Sequence, residues 1–460
     1  MTQKIGSKQG DTMNSATSTP SLAEKNGVFI STYGCQMNAN DTERMYSLLE
    51  MCNYTPVSSP DQASLIIINS CSVREKPVHK VHSEVGRYKK LKKENPSLKI
   101  GVAGCVAQQE KKNLVKDVPM IDFVFGPDNI DQLPEIVGNL NQQVEAQKIV
   151  QAKFDHVSPY QVETLVRNPG VSTFVNITKG CDNFCTFCVV PFTRGRERSR
   201  AMSELIGDID KLVERGVKEV TLLGQNVNSY KSSCGADFTH LLKTLAEKTK
   251  IQRIRYTTSH PKDFHQDLVD VMQNNRKKIC EYVHLPVQSG NTDVLQRMNR
   301  GYTREEYIDK ANMILRSIPG VSLSTDIIVG FPGETEAQFE DTLSLLDVVP
   351  YETIYAFKYS PRPFTKAARW VDQLSEEEKS DRLQRLFDKH NKIARKLAER
   401  YIGEVVEVLV EEVNNGRAYG RCATNKVVNF DATEELIGQT VMVRVNEAFP
   451  STLRGVIVSE

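Results

Sequence analysis

Cys181, Cys185 and Cys188 stand at C-x3-C-x2-C in the stretch GCDNFCTFCVVPFTRGRERSR, and Arg194, Arg196, Arg198 and Arg200 follow at once. Three thiolates can hold three irons of a [4Fe–4S] cluster and leave the fourth iron open. Zinc fits less well, because a closed structural site wants four ligands and no fourth Cys or His stands at a typical spacing. A catalytic cysteine would not need two near neighbours.

A second set, Cys35, Cys71 and Cys105, is far apart in sequence. Spacing says nothing of these thiols, but position does. GVFISTYGC, ASLIIINSC and LKIGVAGC are short apolar runs that each end in a cysteine, and such runs read as buried parallel strands. Helix-like stretches such as NDTERMYSLLEMC separate them, so an α/β domain with a parallel sheet is expected over 27–150. The carboxyl ends of parallel strands line one edge, where ligands bind, so the three thiols can converge there. The competing reading is three buried cysteines in unrelated places. Cys52, Cys234, Cys280 and Cys422 read as small core or surface residues.

The polar stretch NQQVEAQKIVQAKFDHVSPYQVET reads as a connector. A second domain over 167–398 offers six strands, TFVNIT, EVTLLGQN, RIRYTTSH, YVHLPVQSG, LSTDIIVGF and ETIYAFKYS, most of them separated by helical patterns. Six βα units suggest an open relative of the eight-unit barrel, with Cys181 at the carboxyl end of its first strand, where barrel enzymes place their sites. The charged helix after them carries one apolar stripe, Leu383, Leu386, Phe387, Ile393 and Leu397, expected to pack back on the barrel. EVVEVLVEEV then alternates with period two and opens a small β-barrel over 400–460. No internal repeat is found.

The chain of 460 residues is too long for one core, and a hydrophobic content of 39% is ordinary for a globular protein. No apolar run is long enough to cross a bilayer. The opening residues are polar and lack the apolar region of a secretory signal, so a cytoplasmic protein with a disordered arm over 1–26 is expected. In a reducing cytosol the ten cysteines are not expected to form disulfides. Fifty-nine basic residues against 58 acidic ones leave no global charge bias, so any nucleic-acid binding must come from local patches.

The first triad, at this place in a six-unit barrel, resembles the signature of the radical S-adenosylmethionine (SAM) superfamily. The resemblance implies that the open iron chelates the amino and carboxylate groups of SAM, and that one electron then releases a 5′-deoxyadenosyl radical. Phe187 matches the apolar position near the SAM adenine. Gln225, Ser259, Gln288 and Asp326 are SAM contacts by position at strand ends. IIVGFPGE, with Gly330, Gly333 and Glu334, matches the glycine-bearing motif of the fifth strand; a tight turn is the other reading.

A second open cluster would be able to hold an external sulfur species, which suits sulfur insertion into an unreactive C–H bond. The whole arrangement resembles the methylthiotransferase family, which joins an N-terminal α/β domain with an auxiliary cluster, a radical SAM barrel and a small β-barrel called TRAM. STYGCQMNANDTERM, INSCSVREK, GCVAQQE and the terminal TNKVVNF look like its MiaB-type branch, which modifies isopentenyladenosine in tRNA. The resemblance implies two [4Fe–4S] clusters, one SAM as methyl donor to sulfur and a second as radical source. It also implies tRNA (the anticodon stem-loop) as partner, an electron donor such as flavodoxin or ferredoxin, and a sulfur source. A monomer is expected, with no membrane partner. Two rivals stand beside this: the same chemistry on threonylcarbamoyladenosine or a ribosomal-protein aspartate, and a metal-containing RNA-binding protein without catalysis.

On this reading Arg194, Arg196, Arg198 and Arg200 ring the barrel mouth and hold phosphates. The alternatives are a solvated loop with internal pairs, contact with the SAM carboxylate, or bracing of the loop. Residues 403–460 carry five Lys or Arg against nine Asp or Glu. An RNA face there must be local, with Arg421, Lys426 and Arg454 leading; otherwise the module braces the barrel.

Overall fold

The computed structural model describes residues 26–72, 77–142, 148–154, 160 and 163–458; the expected arm, up to residue 25, lies outside them. Three units follow one another along the chain.

The first is a six-stranded parallel sheet with helices between its strands. Its elements are β1 (Asn26–Tyr33), α1 (Gln36–Glu50), β2 (Tyr54–Pro56), β3 (Leu65–Ser70), α2 (Pro77–Arg87), α3 (Lys89–Glu94), β4 (Lys99–Ala103), α4 (Cys105–Glu110), α5 (Lys112–Asp117), β5 (Phe123–Phe125), α6 (Leu133–Gln142) and β6 (Ile149–Gln151). The strand order is β2-β1-β3-β4-β5-β6. Separate apolar clusters cover the two faces, which is why LIIINS of β3 is buried at every position. The three strands that lead into Cys35, Cys71 and Cys105 are neighbours, β1-β3-β4, so the thiols share one edge of the sheet. The stretch read as a polar connector is not only that. Ile149–Gln151 pairs with Phe123–Phe125 as the edge strand, its β-branched Ile149 and Val150 suiting a strand within an otherwise polar stretch.

The second unit contains β7 (Ser172–Asn176), β8 (Thr178–Lys179), α7 (Val190–Thr193), β9 (Arg198–Ser199), α8 (Met202–Glu214), β10 (Glu219–Leu223), α9 (Phe238–Lys248), β11 (Arg253–Tyr256), α10 (Gln266–Asn274), β12 (Tyr282–His284), α11 (Thr292–Arg297), α12 (Arg304–Ser317), β13 (Ser322–Val329), α13 (Glu336–Val348), β14 (Tyr351–Lys358) and α14 (Glu376–Ala398). All six expected strands are present. They form two parallel three-stranded sheets, β11-β10-β7 and β12-β13-β14, joined by the single bridge Ile254–Ile279. The result is an open (β/α)6 barrel around one continuous apolar core. Leu386 lies in that core, and Leu383, Phe387 and Ile393 pack against it, so α14 folds back on the barrel as its stripe requires.

The third unit is a closed barrel of β15 (Val405–Asn414), β16 (Arg417–Cys422), β17 (Val427–Asp431), β18 (Thr440–Ala448) and β19 (Thr452–Ile457), in the order β15-β16-β17-β19-β18. Among the described residues no helix is long and apolar enough to cross a membrane.

Candidate iron–sulfur and cofactor site

The sheet edge brings the first three thiols together. Cys35 caps α1 and its Sγ donates to Asn38 Oδ1 at 3.3 Å. Asn38 in turn donates to Asn69 Oδ1 at 3.1 Å, and Asn69 donates back to the Asn38 carbonyl at 2.8 Å, which locks the Cys35 turn against the end of β3. The Cys71 amide bonds the Tyr33 carbonyl at 3.1 Å. Gly34 has φ +136°, and a Cβ there would strike Cys71 Cβ, so only glycine lets the two cysteine turns pack so closely. The Cys35 thiol is pulled down to about 5, first by its hydrogen bond with Cys71 and against burial, then by the Arg194 guanidinium and the backbone of Asn38 and Met37.

The second triad rides a loop stitched down at several points. Gly180 has φ +77°, and a Cβ there would hit the Arg196 backbone. The Gly180 amide donates to Gln225 Oε1. The Cys181 amide donates to the Gly195 carbonyl at 3.2 Å, and the Thr186 amide to the Met298 carbonyl at 3.0 Å. Arg300, buried, donates to Cys185 Sγ at 3.4 Å and to the Pro286 carbonyl at 2.9 Å. Burial pushes the Cys181 thiol up to about 11 and the Cys188 thiol up to about 12.

Each triad supplies three thiols, the number that a [4Fe–4S] cluster with one open iron takes. Among the described residues no three His, Cys, Asp or Glu side chains are placed to hold a single ion, whereas a cubane takes each thiolate on a different iron. For Cys35, Cys71 and Cys105 the ends of three neighbouring strands, about 4.8 Å apart, give that spread.

Of the expected SAM contacts, Gln225, Ser259 and Gln288 follow the carboxyl ends of β10, β11 and β12, whereas Asp326 was expected at a strand end and lies within β13, paired with Tyr355. Gln225 braces the cluster loop through its carboxamide oxygen. Phe187 is half-buried, its ring edge-on to Phe331 with centroids 6.5 Å apart. Ser259 Oγ is buried with no protein partner, as is Nε2 of His260 beside it. His260 Nδ1 accepts from the Lys262 amide at 3.3 Å, and burial drives the ring down to about 2, so it is neutral and Nε2 carries the proton. Thr258 and Gln288 hold φ of +70° and +75°, strain of the kind stored at binding turns. Asp326 is partly exposed and lies 3.5 Å from His284 Nε2, while His284 Nδ1 meets Ser324 Oγ at 2.8 Å. These buried orphan donors and strained turns leave polar groups without protein partners near the barrel mouth, as a site for a polar ligand would. Glu334 is structural: it accepts from the Gly330 amide at 2.7 Å and from Arg382 at 2.9 Å.

The basic residues divide sharply. Arg194 is buried and bonded to Asp41 at 2.7 Å, and Arg200 is buried and bonded to Asp208 at 2.6 Å. Lys426 is buried against Glu352 at 2.9 Å. These three were expected to meet phosphate, and their burial and pairing remove them from an RNA surface. Arg198, 3.8 Å from Asp128 and over the Tyr160 ring, is largely covered. Arg196 is the exposed one, forked onto Asp182 and stacked over Phe184. Arg421 is part-exposed and pairs with Glu411, and Arg454 is exposed and pairs with Glu447.

The small barrel braces the larger one. Arg253 and Arg255 project from β11 to Glu219 and donate to the carbonyls of Arg421, Cys422 and Ala423. Glu352 gathers Lys426, Arg400 and Tyr401. Glu219, Arg253 and Glu352 lie at the amino ends of their strands, opposite the cluster loop.

Sequence reasoning missed Asp41, His260, His284 and Arg300. No local signal marks Asp41 or Arg300, whose partners lie 153 and 115 residues away. His260 follows Ser259 at a strand end and was within reach of the same positional argument.

Comparison with known proteins agrees with this anatomy. The description "Uncharacterized protein family UPF0004" matches residues 27–126, the Radical SAM superfamily 175–346 and the TRAM domain 399–458. The tRNA-2-methylthio-N(6)-dimethylallyladenosine synthase of Bdellovibrio bacteriovorus is 60% identical over 97% of this chain and 98% of its own length. The enzyme of that name from Carboxydothermus hydrogenoformans is 44% identical over 95% of this chain and its full length. Among solved structures, the radical SAM methyltransferase TsrM from Kitasatospora setae superposes with TM-score 0.55 at 13% identity, over 75% of each chain. The cobalamin-dependent SAM radical enzyme OxsB does so with TM-score 0.51 at 13% identity, over 80% of this chain and 56% of its own. These structural likenesses speak to fold alone. With its three domains in order and such relatives over nearly its whole length, the chain belongs to the tRNA-2-methylthio-N(6)-dimethylallyladenosine synthase family of radical SAM enzymes.

Proposed function

We propose that the protein replaces the C2 hydrogen of N6-dimethylallyladenosine (isopentenyladenosine), at position 37 beside the anticodon of tRNA, with a methylthio group. One SAM donates methyl and a second is the radical source. The observation that carries the reading is the pairing of two all-cysteine triads whose loops are joined directly by Arg194 and Asp41. Two open clusters in one rigid frame suit a reaction that must both activate a C–H bond and deliver sulfur.

When bound, the two [4Fe–4S] clusters and SAM supply one-electron chemistry, homolytic hydrogen abstraction and a place for sulfur. The chain's own groups hold and orient. Cys181, Cys185 and Cys188 would ligate one cluster, and Cys35, Cys71 and Cys105 the other. Arg300 holds Cys185 by a charged hydrogen bond, and the Asn38–Asn69 pair fixes the Cys35 turn. Ser259 Oγ and the His260 Nε2 proton offer SAM a buried acceptor–donor and a donor. Phe187, Gln288 and Asp326 would complete the pocket. Arg196 stands exposed for phosphate. A low-potential electron donor, a sulfur source and a cytoplasmic setting follow from this chemistry.

The test is incubation of anaerobically reconstituted protein, reductant and SAM with tRNA bearing dimethylallyladenosine, followed by mass spectrometry of nucleosides. A methylthio product on that base is expected. Product only on threonylcarbamoyladenosine, or on a ribosomal protein, would overturn the assignment.

A further inference from the structure

The arginines that turned out to be buried leave the question of what grips the RNA beside the site. Two exposed phenylalanines stand there. Phe192 lies on α7, just after Cys188, and Phe364 lies in the segment after β14. Their ring centroids are 5.8 Å apart with planes tilted by 38°, and the rings are 41% and 52% exposed. Phe364 holds φ +72°, a conformation glycine adopts freely and a bulky residue does not. The segment is bound to the cluster loop itself: the Ala367 amide donates to the carbonyl of Thr186, between Cys185 and Phe187, at 3.0 Å. Lys366 and Arg369 are exposed around it, and no acidic residue occurs from Tyr359 to Val371.

An exposed aromatic pair with one member held at a strained φ costs stability, and strain of this kind concentrates where a ligand binds. Aromatic faces interleaved with cations match a ligand whose planar apolar bases alternate with phosphates. We infer that Phe192 and Phe364, flanked by Lys366 and Arg369, form a stacking platform for an unpaired base of the anticodon loop, next to the base that enters the site. This rests on the tRNA reading above and adds to it the residues that position the loop.

The probe is a dimethylallylated anticodon stem-loop with 2-aminopurine in place of the neighbouring loop nucleotide, bound to full-length reconstituted protein. Phe192→Ala and Phe364→Gly should each raise Kd about tenfold, the loss of one base stack, and abolish 2-aminopurine quenching. The salt slope of binding should stay unchanged in these two and fall by about one unit in Lys366→Ala, because stacking releases no counterions. Glycine adopts the φ of +72° freely, so Phe364→Gly should keep a melting temperature close to that of the wild type, which separates weaker binding from misfolding. Unchanged Kd and quenching in Phe364→Gly would overturn the proposal, as would loss of turnover only with a flavoprotein reductant and not with dithionite, which would mark a protein dock. Failure of the wild type to methylthiolate dimethylallyladenosine would instead overturn the substrate reading.

Discussion

Arg194 donates to Asp41 at 2.7 Å across 153 residues of sequence, and both side chains are buried. Asp41 sits on α1, the helix that Cys35 caps; Arg194 closes α7, which follows Cys188. One ion pair therefore ties the loop of one thiol triad to the loop of the other. Asn40 reinforces it by donating to the Phe174 carbonyl at 3.2 Å and accepting from Asn176 at 2.6 Å.

Removing one partner of a buried pair strands the other. Asp41→Asn should cost about 3–5 kcal/mol in denaturant unfolding. The double variant Asp41→Leu with Arg194→Met should recover much of that loss, since apolar groups of similar volume replace a buried pair well. If Arg194→Ala proves as mild as Arg196→Ala, the joint is not structural.

Iron content tests the two triads. Reconstituted protein should bind about eight irons per chain, four to each cubane. Replacing Cys181, Cys185 and Cys188 with alanine should halve this and abolish SAM cleavage. Replacing Cys35, Cys71 and Cys105 should also halve it, yet spare SAM cleavage and stop methylthiolation. A protein that binds zinc alone is the contrary result.

The basic residues should separate into two groups. Arg196→Ala should weaken stem-loop binding and lower its log–log salt slope by about one unit. Arg200→Ala and Glu352→Gln should leave that slope alone and lower stability by about 3–5 kcal/mol, because each leaves a buried charge unpaired. A salt titration beside a denaturation curve for each variant checks this. A slope change in Arg200→Ala would return that residue to the RNA surface.

His390 on α14 sets a pH dependence. Burial holds its pKa below the ordinary histidine value, against the hydrogen bond of its Nε2 to the Tyr351 carbonyl at 3.1 Å. The unfolded chain takes up this proton near pH 6.5 and the folded chain only lower. Its contribution is therefore complete above about pH 6.5 and lost as pH falls below it. His390→Gln keeps an N–H for the carbonyl and removes the titration, so stability should fall less steeply between about pH 6.5 and 5. An unaltered slope would assign the acid sensitivity elsewhere.

Local pattern was enough for the architecture and for the places of the two cysteine triads in it. The apolar runs ending in Cys35, Cys71 and Cys105 dictate buried parallel strands, and C-x3-C-x2-C places three thiols on one loop whatever surrounds it. The six barrel strands and the alternating terminal strands were legible for the same reason, since period and burial are properties of consecutive residues. Edge strand β6 was not legible, because its three residues, IVQ, are too few to show a period inside a polar stretch and only pairing with β5 defines them. The roles of the arginines were undetermined as well. Arg194, Arg196 and Arg200 are alike in sequence and differ only because Asp41, Asp182 and Asp208 meet them in space. Arg194 meets Asp41 only where the first domain packs on the second, 153 residues away in the chain, whereas Arg196 and Arg200 meet carboxylates 14 and 8 residues away once the barrel loops have folded. Charge and spacing are alike in the three, so only the tertiary structure decides which of them faces water.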